Sequence, residues 1–156
     1  MNTDKKISRR EALKRMGFAV MSGAIASSGL LSLASCETKR SKRIIFYFTG
    51  TGNSLYIARQ LAGENAELLS IPQMVKRGKY EFEADEIGIV YPIYGHMPPY
   101  MVRQFIQKAK LKAEYKFAVL TYGARKCDAV EIWDRISRKA DNAFDYINTI
   151  IMVDNW

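Results

Sequence analysis

A strand, a small-residue turn and a helix follow one another without a break over residues 44–62. Residues 44–48 are an unbroken β-branched and aromatic run, IIFYF, which is typical of a strand buried on both faces. Residues 49–54, TGTGNS, are small and polar. Apolar residues then recur at helical spacing: Leu55, Ala58, Leu61 and Ala62. This order limits the chain to folds in which a buried strand passes through a tight loop into a helix.

The loop between this strand and helix is suited to binding a phosphate. Gly50 and Gly52 allow the backbone to approach an anion closely. Neighbouring side chains add hydroxyl and amide donors: Thr49, Thr51, Asn53 and Ser54. The helix start adds N–H groups and a partial positive charge. No Lys or Arg lies between Arg43 and Arg59, so neutral donors would hold the phosphate. The alternative is an ordinary glycine-rich turn between a strand and a helix.

The glycine spacing excludes two common nucleotide-binding motifs. The Gly-Lys-Ser/Thr of a Walker A loop is absent, and the third glycine of a dinucleotide fingerprint would fall at Leu55. The turn instead resembles the phosphate loop of flavodoxins, where Thr/Ser-Gly-Thr-Gly-Asn-Ser/Thr holds the 5′-phosphate of FMN. The resemblance implies FMN as the cofactor, bound here by Thr49, Gly50, Thr51, Gly52, Asn53 and Ser54.

Strands alternate with helices through the rest of the chain. Apolar patterns predict strands over 66–71, 86–91, 116–122 and 146–153, helices around 99–109 and 129–143, and an irregular segment over 73–86 with one helical turn. Such alternation predicts a parallel sheet with right-handed crossovers. The resemblance to flavodoxins further implies a flavodoxin-like three-layer α/β sandwich with five strands in the order 2-1-3-4-5. Ligands bind such sheets at the carboxyl edge, between strands one and three.

Two further loops are expected at that edge, and they also resemble flavodoxin loops. Tyr91-Pro92-Ile93-Tyr94-Gly95 and Thr121-Tyr122-Gly123 are similar to those of bacterial flavodoxin-like proteins whose fuller members carry a downstream ferredoxin-like iron–sulfur segment. Residues 1–156 contain no such segment. The resemblance implies FMN contacts from Pro92, Ile93, Tyr94, Gly95, Thr121, Tyr122 and Gly123.

Roles within these loops are open to more than one interpretation. Tyr94, and after it Tyr122, is a candidate to stack on the isoalloxazine ring, although tyrosines are also common core residues. By resemblance, Gly95 allows a peptide flip beside the flavin. His96 either modulates the flavin or is simply a solvent-facing histidine. Cys127 is either a reactive or an unreactive thiol. We identify no catalytic constellation and, with a single histidine and no Cys-x-x-Cys, no metal site.

The first 36 residues predict a signal peptide. A basic start is followed by a diluted apolar stretch and by Leu33-Ala34-Ser35-Cys36, which resembles a lipobox with Cys36 as the lipidation site. Residues 8–14, SRREALK, resemble a twin-arginine export signal. The alternative to a twin-arginine signal is a plain secretory signal in which the arginine pair occurs by chance. The alternative to a lipobox is a cysteine that occurs at this position by chance. The predicted organisation is a signal peptide over 1–36, a basic linker over 37–43 and a flavodoxin-like domain over 44–156.

The charge distribution helps to indicate which partners, lipid or nucleic acid, the chain could bind. The chain has a net charge of +8, and without residues 1–35 about +4 remains. The linker cations Lys39, Arg40, Lys42 and Arg43 either contact lipid headgroups or are solvated. No basic face is interleaved with aromatic residues, so nucleic-acid binding is not expected.

Taken together, the sequence predicts an FMN-binding electron-transfer protein with a protein redox partner. It would be exported to the periplasm or anchored by lipid to the bacterial cell membrane. The alternatives are an FMN-dependent NAD(P)H or quinone oxidoreductase, and a non-redox lipoprotein that has lost the flavin. Flavodoxin domains carry a helix after the fifth strand, whereas only three residues, ending at Trp156, follow that strand here. We therefore expect the last helix to be missing or supplied by another chain.

Overall fold

A parallel five-stranded sheet forms the centre of the computed structural model, which describes residues 43–153. In chain order the elements are β1 (Arg43–Tyr47), α1 (Asn53–Ala62), β2 (Ala66–Ser70), α2 (Ile71–Arg77), β3 (Glu81–Glu83), β4 (Glu86–Pro92), α3 (Tyr100–Lys108), β5 (Lys110–Lys112), β6 (Tyr115–Tyr122), α4 (Ala129–Lys139) and β7 (Tyr146–Ile151). The sheet order is β2-β1-β4-β6-β7, and every neighbouring pair is parallel. Counting these five strands alone, the order is the predicted 2-1-3-4-5.

The larger core lies on the sheet face covered by α2, α3 and α4. The helix predicted around 99–109 buries an apolar stripe, Val102, Phe105 and Ile106, and Ala109 directly after the helix is buried as well. Trp133 of α4 is fully buried, with its ring centroid 4.9 Å from that of Tyr91 and 5.3 Å from that of Phe144. These aromatic contacts hold α4 against the central strand β4.

On the opposite face, α1 covers β1 and β4. The Phe117 side chain of β6 covers part of β4 on the same face. Gly88 of β4 lies in register with Phe117 of β6, and a Cβ added at Gly88 would lie 2.5 Å from Phe117 Cζ. The Phe117 ring therefore packs directly on the glycine backbone. Tyr115 stacks on Phe117 at 6.0 Å between centroids. The predicted absence of a helix after β7 concerns residues beyond 153, outside the described part of the chain.

Two short strands were not predicted. The segment expected to be irregular contains β3, which pairs in parallel with β5 in a separate two-stranded sheet. Phe82 and Leu111 point into the main core, while Glu81 and Lys110 form an exposed ion pair at 2.8 Å. The prediction of an irregular segment was wrong because three-residue strands are too short to show a periodicity.

Asn142 is a buried polar residue that joins several elements behind the sheet. Its side-chain Nδ2 donates to the carbonyl oxygens of Ala109 at 2.8 Å, Ala140 at 2.8 Å and Ile106 at 3.3 Å. Its Oδ1 accepts from the N–H of Leu111 at 3.2 Å. The side chain thus satisfies backbone groups at the end of α3, at the end of α4 and in β5.

The signal peptide, the lipobox cysteine Cys36 and most of the basic linker lie outside the described residues. Arg43, predicted as the last linker residue, is the first residue of β1, and its Nε donates to Glu86 Oε2 at 2.6 Å. Between residues 43 and 153, no helix is long and apolar enough to cross a bilayer.

Candidate functional site

A cavity of about 400 Å³ opens at the carboxyl edge of the sheet, where the loops after β1, β4 and β6 meet. It is lined by Thr49, Gly50, Thr51, Asn53, Ser54, Pro92, Ile93, Tyr94, Thr121, Tyr122, Gly123 and Met152. Eleven of these twelve are among the thirteen cofactor-binding residues predicted from the sequence. Gly52 and Gly95 belong to the same loops without lining the cavity. Met152, which follows β7, was missed because its apolar segment indicated only a strand.

The first loop turns sharply into α1. Gly52 is the residue before the helix, and its φ of 98° lies in the left-handed region that favours glycine. Its N–H donates to Thr49 Oγ1 at 2.9 Å, which leaves the Thr49 hydroxyl hydrogen able to donate elsewhere. The first turn of α1 contains no acidic residue, and the glycine offers no capping side chain. The positive end of the helix dipole therefore meets no competing carboxylate from its own first turn.

A pair of buried hydroxyl groups joins the first loop to the third. Ser54 Oγ and Thr121 Oγ1 lie 2.8 Å apart, and their residues are 1% and 2% exposed. The bond between them uses one of the two hydroxyl hydrogens. The other can donate to a ligand in the cavity that both residues line.

Asn53 makes a contact that the sequence did not indicate. Its side-chain Nδ2 donates to the carbonyl oxygen of Val153 at 2.9 Å, across 100 positions of sequence. Nearby, the N–H of Met152 donates to the carbonyl oxygen of Tyr122 at 2.8 Å. These two bonds attach the segment after β7 to the first and third loops and make Met152 part of the cavity wall.

The second loop is a tight turn over residues 94–97. The backbones of Tyr94 and Met97 exchange two hydrogen bonds, at 3.0 and 3.1 Å. The two residues between them have positive φ, 54° at Gly95 and 70° at His96, as in a type I′ turn. His96 is exposed. The Tyr94 hydroxyl reaches the first loop, because a Cβ added at Gly50 would lie 2.5 Å from it.

The sequence matches no protein-family model and no curated protein. Solved structures do match. A flavoprotein from Lactobacillus acidophilus in complex with FMN gives a TM-score of 0.52 at 12% identity, covering 70% of this chain and 93% of that one. The two-electron reduced flavodoxin of Megasphaera elsdenii gives 0.53 at 16% identity, covering 72% and 88%. The fold is flavodoxin-like.

The cavity of this flavodoxin-like fold is uncharged. None of its lining residues is Lys, Arg, Asp, Glu or His. Arg125, Lys126 and the partly buried Cys127 belong to the third loop but do not line it. Within residues 43–153 no group of three or more His, Cys, Asp and Glu side chains is arranged to hold a metal ion.

One buried phenol belongs to β4, just before the second loop in the sequence. Tyr91 is fully buried, and burial raises the pKa of its hydroxyl well above the ordinary value of 10.0. The phenol therefore stays neutral at physiological pH. Asp128 occupies the N-cap position of α4, but its side chain makes no capping hydrogen bond.

Proposed function

We propose that this chain binds FMN non-covalently in the cavity at the carboxyl edge and passes electrons between redox partners. One observation carries the proposal: three loops that resemble flavodoxin loops in sequence line a single cavity, although they are far apart in the chain. Its volume of about 400 Å³ falls within the range of small-molecule and cofactor sites.

The residues present fit the chemical groups of FMN. Thr49, Thr51 and Ser54 offer hydroxyl donors beside the start of α1, where an anion is favoured. Tyr94 and Tyr122 offer flat aromatic surfaces for a conjugated ring. When bound, FMN supplies the redox chemistry, and the protein's contribution is to hold, orient and shield it.

The cofactor assignment predicts a strong preference for FMN over riboflavin, which lacks the phosphate. Loss of one or two charge-assisted hydrogen bonds should weaken binding by roughly 10- to 1,000-fold. The measurement is fluorescence titration of the full chain with each flavin, together with the visible spectrum of the purified protein. Equal affinities for the two flavins would contradict a phosphate site in the first loop.

The same preparation separates the competing functions. A colourless protein that ignores added FMN would favour the lipoprotein that has lost its flavin. Steady NAD(P)H oxidation without a partner protein would favour an oxidoreductase. For an electron-transfer protein, we expect FMN to be retained without steady NAD(P)H oxidation. Oxidation of NAD(P)H should begin only when a redox protein is added.

We also propose that the chain is exported and anchored by lipid on Cys36. The lipobox-like LASC segment over residues 33–36 supports this proposal. The variant Cys36→Ala should move the protein from the membrane fraction to the soluble fraction, because one acyl-bearing residue would carry the attachment. Fractionation and immunoblotting measure this, with Cys127→Ala as the matched control. A Cys36→Ala protein that stays in the membrane fraction would refute the anchor.

A further inference from the structure

A second cleft lies between α3 and α4. It is separate from the proposed FMN site at the carboxyl edge of the sheet, called the flavin cavity below. Its volume is about 540 Å³. It is lined by Met97, Arg103, Gln107, Arg135, Ile136, Lys139 and Ala140. No sequence motif indicates a function at these positions.

The cleft concentrates positive charge. Arg103 on α3 faces the same space as Arg135 and Lys139, which lie one turn apart on α4, and no Asp or Glu lines the cleft. Among residues 43–153, none of these three cations forms an ion pair. The α4 carboxylate of Asp134 is paired instead with Arg138, at 2.8 Å. Like charges held close together repel, and an anion between them would relieve that repulsion.

Arg103 is partly buried and makes a cation–π contact. Its guanidinium lies 5.7 Å from the ring centroid of Tyr100. Its Nε is buried and has no hydrogen-bond partner among the described residues. A buried donor without a partner is unfavourable, and a guanidinium pairs well with the oxygens of a phosphate. Arg103 as a whole is only partly buried and lines the cleft, so its guanidinium can still pair with an anion there.

The remaining walls indicate the kind of anion. Met97, Ile136 and Ala140 are apolar, and the volume falls within the range of small-molecule sites rather than that of a single inorganic ion. We propose that the cleft between α3 and α4 binds a small phosphate-bearing organic molecule, with Arg103, Arg135 and Lys139 holding its phosphate groups. Through Met97 the ligand would contact the turn over residues 94–97, which also contributes Tyr94 to the flavin cavity.

The test uses ADP as the probe in calorimetric titration of the full chain. ADP should bind, and the double variant Arg103→Gln/Lys139→Gln should bind it at least tenfold more weakly, as expected for the loss of charge-assisted bonds. Arg135→Gln removes the charge of an exposed side chain and should also weaken ADP binding. It therefore tests the cleft even if the double variant is unstable. The matched control is Lys76→Gln, which removes one exposed positive charge on α2, outside the cleft.

Titration of the Gly52→Val protein keeps this result separate from the proposed flavin function. That substitution alters the first loop and leaves the cleft unchanged, so ADP binding should persist in it. Loss of ADP binding in Gly52→Val would assign the probe to the flavin cavity and overturn the proposal. Absence of ADP binding, equal weakening by Lys76→Gln, or unchanged binding in both cleft variants would also overturn it.

Discussion

Replacing Gly52 with valine should weaken FMN binding by about a hundredfold, because the loop can no longer present its donors to a phosphate. A β-branched residue at a φ of 98° is strained by roughly 1–3 kcal/mol. The loop relieves that strain by rotating the peptide, which breaks the bond from the Gly52 N–H to Thr49 Oγ1. Apart from the glycine's own chain neighbours, no atom lies within 4 Å of a Cβ added at this position, so the cost of the substitution comes mainly from the backbone conformation.

The measurement is the FMN dissociation constant by fluorescence titration, with the circular dichroism spectrum as a check on folding. Gly78→Val is the matched control, because Gly78 also has a positive φ, 64°, and follows a helix far from the cavity. It should carry a similar strain and leave FMN affinity unchanged. If Gly52→Val retained wild-type affinity, the first loop would not be the phosphate site.

Replacing Asn142 with alanine should lower the free energy of unfolding by about 3 kcal/mol. The asparagine is 1% exposed and makes four hydrogen bonds to backbone groups. Alanine removes all four at once and leaves the buried N–H of Leu111 without its partner. Such unsatisfied groups are among the few causes of large effects from a single substitution.

Urea denaturation of both proteins measures the difference, and Asn65→Ala is the control because Asn65 is exposed. The control should change stability by less than about 0.5 kcal/mol. A loss below about 1 kcal/mol in Asn142→Ala would mean that water replaces the side chain in these bonds.

The features that the sequence predicted correctly are those encoded locally. The three central strands β1, β4 and β6 are recognisable because each contains a continuous apolar run, and continuous runs are what a parallel sheet buried on both faces requires. The first loop is recognisable because glycine and hydroxyl residues occur together between a strand and a helix. Once the strand order is fixed, the loops at its carboxyl edge must converge, and the cavity follows from the topology.

The features that the sequence did not reveal depend on partners distant in the chain. Asn142 has no local pattern, and its partners lie on α3, β5 and α4. Arg103 and Lys139 occupy positions that are typical of solvated helix faces, and only the packing of α3 against α4 brings them to one cleft. Met152 could not be assigned to the cavity because its role depends on where the last strand ends.

The bond from Asn53 to Val153 has a consequence for the order of events during synthesis. The first loop leaves the ribosome about a hundred residues before the segment that completes the cavity wall. Because a domain folds as a unit, a nascent chain cannot close this wall until Met152 and Val153 have emerged. The cavity wall is therefore completed only after translation has passed Val153.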